Sequence, residues 1–143
     1  MNGRRMHRAW SGWNPRGFKN IKQGIKVIAD GPNVSKWKNP EELIVKKKFT
    51  WRHIPGKVDR IVDGKIFVDP ETVSKYKVPS SSLGVLVPIV LNNMLNGPGL
   101  SSGDIAIENA YELLTYEGEW YLDRSSSTLY CKPLGSDDFN AQS

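Results

Sequence analysis

Cysteine is almost absent. Cys131 stands alone among 143 residues, so the chain can build neither an internal disulfide framework nor a multi-cysteine zinc site. Histidine is nearly as scarce: His7 and His53 leave little material for a histidine metal cluster, and neither a metal nor an organic cofactor is expected. Long apolar runs are missing too. The longest, Leu83 to Leu91, contains Gly84 and Pro88 and falls well short of the length of about 20 residues that a membrane-spanning helix needs. The opening MNGRRMHRAW is basic with no apolar stretch behind it, which is not the pattern of a secretory signal. Glycine-rich phosphate loops, nucleophile elbows and zinc-ligand spacings do not occur either.

What is present is aromatic and basic. Five Trp, five Tyr and four Phe within 38% hydrophobic residues make the chain too apolar for disorder. Its length suits a single domain over residues 1–143, burying roughly 68–70% of the surface exposed by the unfolded chain. Charge is divided unevenly. Residues 1–77 hold 18 of the 20 Lys and Arg against 7 of the 15 acids, a net +11, whereas residues 78–143 carry −6. Such a basic half points to nucleic acid, anionic glycans or simple solubility. Its densest run, Lys46-Lys47-Lys48, reads first as a solvated strand face.

The periodicity is that of strands. Over Leu43–Arg52 one parity collects Leu43, Val45, Lys47, Phe49 and Trp51, a half-buried strand in which Lys47 is expected to snorkel on its aliphatic stem. Val58–Val62 and Lys65–Asp69 flank Asp63-Gly64, a type I′ hairpin dipeptide. Ile25, Val27 and Ala29 mark another strand, and Asp104–Asn109 a further short one. Trp120–Arg124 and Thr128–Lys132 form a hairpin around Ser125-Ser126-Ser127, with Trp120, Leu122, Leu129 and Cys131 assigned inward and Tyr121 facing Tyr130 on the other side. Asn39-Pro40-Glu41-Glu42, Pro70–Lys77 and Asn109–Leu114 each suit a helical turn or two. Asn2-Gly3 is a hairpin signal with only Met1 before it, so the chain is expected to be a piece of a longer one. The predicted class is all-β, an antiparallel β-sandwich or barrel-like domain with short helical turns.

Catalytic candidates are few. Cys131, on a strand, reads as a packed thiol. The acids of Glu117-Gly118-Glu119-Trp120-Tyr121-Leu122-Asp123-Arg124 invite a glycosidase reading, because glycoside hydrolysis uses two carboxylates across a sugar ring. Glu119 and Asp123 share a strand face, but their Cα atoms lie roughly 13 Å apart. That is too far for the retaining geometry and strains the inverting one. Pairing with Arg124, Lys132 or the basic half is the preferred expectation.

The segment IENAYELLTYEGEWYLDRSSSTLYCKPLGSDD, Ile107 to Asp138, resembles a stretch of bacterial right-handed parallel β-helix proteins of the pectin-lyase-like superfamily. Glu108, Asn109, Ala110, Leu113, Leu114, Gly118, Glu119, Trp120, Tyr121, Leu122, Asp123, Arg124, Leu129, Tyr130 and Pro133 match its usual run. NGRRMHRAW and KNPEELIVKKKFTW are similar to the family's opening and its "NPEEIE…W" strand. Glu117 departs from the common Pro, the serine turn lacks the family's Gly, and Cys131 takes the place of an aromatic. Val78–Leu100 matches nothing in the family.

The resemblance implies an outer β-sandwich inserted into a β-helix glycoside hydrolase that is extracellular or periplasmic. The missing β-helix would then be the chain's main partner, and the catalytic carboxylates would lie on its coils. Glu108, Asn109, Gly118, Glu119, Trp120, Tyr121, Leu122, Asp123 and Arg124 would be structural motif residues, with no catalytic residue in this chain. Walling a glycan cleft would fall to Trp10, Trp13 and Trp37, which sit in polar or Gly/Pro-containing stretches, while Trp51 and Trp120 read as core. An isolated chain of this kind is expected to self-associate through exposed strand edges. The alternative is a small basic β-barrel that binds single-stranded nucleic acid through Lys46-Lys47-Lys48 with Phe49 and Trp51. A standalone glycosidase using Glu117, Glu119 or Asp123 is the third class.

Overall fold

The structure, a computed structural model, describes residues 5–49, 52–75 and 104–135. The expectations for Asn2-Gly3, for Trp51 as core, for Leu83–Leu91, for Gly97–Gly103 and for the tail beyond Gly135 lie outside these residues. The fold is all-β. Among the described residues nine strands run in the order β1 (His7–Arg8), β2 (Phe18–Ile21), β3 (Gly24–Val27), β4 (Ile44–Phe49), β5 (Arg52–Val62), β6 (Lys65–Val68), β7 (Asp104–Glu108), β8 (Glu119–Asp123) and β9 (Thr128–Cys131). One short helix, α1 (Pro70–Lys75), follows β6. Asp69 starts it, its Oδ1 accepting from the Thr72 N–H at 2.8 Å, ahead of Pro70 in the first turn.

Six strands form a barrel-like antiparallel sheet in the order β2-β3-β6-β5-β4-β7. Type I′ chemistry explains the β5–β6 turn: Asp63 and Gly64 have φ of 49° and 69°. Strand β5 is longer than Val58–Val62, because residues 52–57 pair with β4 before residues 58–62 pair with β6. Pro55, which reads as a breaker, faces Lys46 of β4 before the β6 ladder begins at Val58, so its missing N–H costs no ladder bond on the other side. The register slips between Val58 and Arg60, a bulge that bends β5 from one half of the sheet into the other. The expected single strand over Leu43–Arg52 is corrected accordingly. Phe49 pairs with Arg52, so β4 ends and β5 begins across a two-residue connection.

Ile25, Val34, Leu43, Val45, Ile66, Val68, Ile105, Ile107 and Ala110 fill the interior. Lys47 lies on the same parity as Leu43 and Val45 and is 0% exposed. The snorkelling expected for it does not occur. β4 has β5 on one side and β7 on the other, and the stem has no route to water. Instead Nζ crosses the interior and donates to the Ile21 carbonyl at the end of β2, 2.7 Å away. Burial lowers its pKa to about 8.

The open flank of β7 is covered by residues 9–14, which form a strap. Ser11 and Asn14 N–H donate to the Ile107 and Ile105 carbonyls, while Ser11 Oγ and Asn14 Oδ1 accept the N–H groups of the same two residues. The strap continues from β1, which pairs in parallel with β8 in a second sheet of order β1-β8-β9. In β8 the expected parity is reversed: Glu119, Tyr121 and Asp123 are buried, while Trp120 and Leu122 are half-buried. Leu129 is 56% exposed, and Cys131 is only half-buried. Trp120 is therefore not a core residue; the Arg8 guanidinium stacks on its ring at 4.8 Å.

Candidate functional site

Where the strap passes over the outer face of the barrel it leaves a recess of about 250 Å³. His7 and Arg8 come from β1, Trp10 and Trp13 from the strap, Lys46 from β4, His53 from β5 and Glu108 from β7. Strand parity sets this arrangement. With Val45 and Lys47 inward, Lys46 and Lys48 point out, and Glu108 lies diagonally across the β4–β7 ladder from Lys46. The backbone bridge of Trp10 to Glu108 places the first indole beside that pair. The Trp10 and Trp13 rings meet edge to face at 5.9 Å, and Trp13 meets His53 at 5.3 Å. Lys46 Nζ donates to Glu108 Oε1 at 2.6 Å. Lys48 lies 5.6 Å from the Trp13 ring centroid and 3.8 Å from Asp104 Oδ2. Arg8 Nε is buried without a hydrogen-bond partner.

Of the three tryptophans singled out from sequence, Trp10 and Trp13 converge here and Trp37 does not. Trp37 packs against the barrel core and meets Phe18 at 6.4 Å. His7, Arg8, Lys46, His53 and Glu108 share no joint sequence signal, because they come from the four strands β1, β4, β5 and β7. Only the Lys46/Lys48 alternation hinted that those two side chains share a face. The three lysines of the run face different ways: Lys46 is paired with Glu108, Lys47 is buried in the barrel, and Lys48 stands beside Trp13. They do not make one basic stripe.

The motif residues near the C-terminal end are engaged in holding the small sheet. Asn109, buried at a φ of 62°, donates Nδ2 to the Glu42 carbonyl. Gly118 has a φ of 79°, and a Cβ there would sit 2.8 Å from Leu134. Glu119 Oε2 accepts the N–H groups of Thr115 and Tyr116, each at 2.9 Å. Glu117 accepts the Gly135 N–H, and the Arg124 N–H approaches Glu42. Asp123 is 2% exposed and pairs with Lys38. Hydrogen bonds from Ser125 and Lys38 hold its carboxyl well below the ordinary carboxylate range. A general acid for glycoside hydrolysis needs the opposite shift. No protein-family model, curated protein or solved structure matches this chain.

Proposed function

We propose that this chain is an accessory β-domain of a carbohydrate-active, right-handed β-helix protein, and that the Trp10–Trp13 recess is its contact with a glycan. One observation carries the reading: two half-buried indoles converge beside the Lys46–Glu108 pair in an open recess. Aromatic faces cover the C–H surface of a sugar ring, and neighbouring charged groups bind its hydroxyls. The parallel β1–β8 pair at a sheet edge agrees with continuation into a parallel β-helix. The acids of β8 are spent on local hydrogen bonds, so hydrolysis is assigned to the rest of the parent protein.

Trp13→Ala tests the reading, because Trp13 packs on Trp10, His53 and the Lys48 ammonium rather than within the barrel core. Affinity is measured by calorimetry against cello-, xylo-, galacto- and galacturono-oligosaccharides. The oligosaccharide that the wild type binds is expected to lose about tenfold or more, about 1.4 kcal/mol, with a small change in melting midpoint. Trp37→Ala is expected to lower the midpoint by several degrees and leave affinity unchanged. Equal losses of affinity in both variants, or none in Trp13→Ala, would remove the recess as the contact.

A further inference from the structure

A second cluster, which shares no residue with the recess, has the composition of a cation-binding site. Lys38 extends from the segment before Pro40 toward the small sheet. Its Nζ lies 2.9 Å from Asp123 Oδ2, 3.1 Å from Tyr130 Oη, 4.6 Å from the Tyr130 ring centroid and 5.3 Å from that of Tyr111. The rings are mutually braced. Tyr111 meets Tyr130 edge to face at 5.2 Å and Tyr121 at 5.8 Å, and Tyr121 lies 6.1 Å from Tyr130. Asp123 is fixed from behind, its Oδ1 accepting from Asn39 Nδ2 at 2.9 Å, Ser125 Oγ at 2.6 Å and the Ser126 N–H at 3.2 Å. Both members of the pair are shifted toward their charged forms. The Lys38 ammonium is held well above its ordinary range, mainly by the hydrogen bond to Asp123.

We propose that Tyr111, Tyr130 and Asp123, braced by Tyr121, form a binding site for a primary alkylammonium, filled in this chain by its own Lys38. All three receptor residues lie at 111–130 and the ammonium comes from residue 38, so the contact is an intramolecular ligand bridging two parts of the fold. Electron-rich ring faces and a desolvated carboxylate are the two elements that recognise organic cations. The oxygen acceptors on Asp123 and Tyr130 need N–H donors, which a primary ammonium has and a quaternary one lacks. Lys38 is 36% exposed, so solvent reaches the site once the side chain is cut back. The tether gives Lys38 a high effective concentration, and free amines are not expected to displace it from the wild type.

The test is chemical rescue. Lys38→Ala empties the site, and its thermal midpoint is expected to fall by several degrees. n-Propylammonium chloride is expected to restore most of that loss, with saturation, because it binds the folded state alone. Tetramethylammonium chloride and sodium chloride at equal ionic strength are expected to restore much less. In Lys38→Ala/Asp123→Asn the response to n-propylammonium is expected to vanish. If Lys38→Ala does not fold unaided, its refolding yield from urea is measured against the same three salts, n-propylammonium being expected to raise it most. Equal responses to all three salts, or no response to n-propylammonium in a folded variant, would overturn the proposal.

Discussion

Replacing Lys47 with methionine is expected to stabilise the protein by about 1–3 kcal/mol at pH 7. The ammonium is 0% exposed in the barrel, and burial lowers its pKa from 10.5 to about 8. Such a shift means that the folded chain carries the charged form at a cost of about 3 kcal/mol wherever both states are protonated. Part of the gain on substitution is offset, because the Ile21 carbonyl loses its 2.7 Å donor. The pH profile gives the sharper signature. Between the folded and unfolded pKa values the unfolded chain binds more protons, so stability rises with pH. The wild type should gain about 2 kcal/mol from pH 8 to pH 10. Cys131 and Tyr121 are shifted up by burial and act in the opposite sense as pH rises, so the wild-type-minus-variant difference isolates Lys47. Urea unfolding at pH 7, 8, 9 and 10 measures it. A Lys47→Met variant less stable than wild type, or a difference that does not change with pH, would refute the account of β4.

Gly24→Ala is expected to cost at least about 3 kcal/mol. Gly24 opens β3, is buried and pairs with Phe67 of β6. A Cβ there would overlap the Ile66 carbonyl oxygen and lie within 3.2 Å of Phe67 Cα, and neither backbone atom moves without opening the β3–β6 ladder. In a chain of this size such a loss is a large share of total stability. Gly64→Ala is the useful comparison, since its φ is 69° but the nearest atom to a Cβ is 3.8 Å away. Its cost is conformational alone, about 1 kcal/mol. Thermal melts of the two variants are expected to fall in that order. A Gly24→Ala midpoint near that of wild type would contradict the β3–β6 register.

Local signals carried much of the fold. Asp63-Gly64 was legible because the residue pair itself permits the positive φ that a type I′ turn needs. The inward parity of Leu43, Val45 and Lys47 was legible because period two is a property of the strand alone. What Lys47 does at the end of that parity was not. Its partner is the carbonyl of Ile21 across the barrel, and strand pattern says nothing about which carbonyl ends opposite. β8 misled for the same reason. Glu119 and Asp123 look solvated beside Trp120 and Leu122, yet they face inward because backbone N–H groups and Lys38 meet them there. Burial of a polar group is decided by partners remote in sequence, not by its own hydropathy.

The recess divides in the same way. Trp10 and Trp13 stood out as aromatics in polar, glycine-containing sequence, and the strap brings them together. Trp37 shared that local character but fills space against Phe18 and the core. The remaining members of the recess depend on the β4–β7 register and on the strap crossing back over it. Neither has a local sequence signal.

The most direct measurement for the recess follows the indole N–H signals by nitrogen-15 NMR while the same four oligosaccharide series are added to the protein. A bound glycan is expected to shift the Trp10 and Trp13 signals together, with one saturation curve, while that of Trp37 stays in place. Binding that moves Trp37 and leaves Trp10 and Trp13 unchanged, or no shift of any indole across all four series, would contradict a glycan contact at the strap.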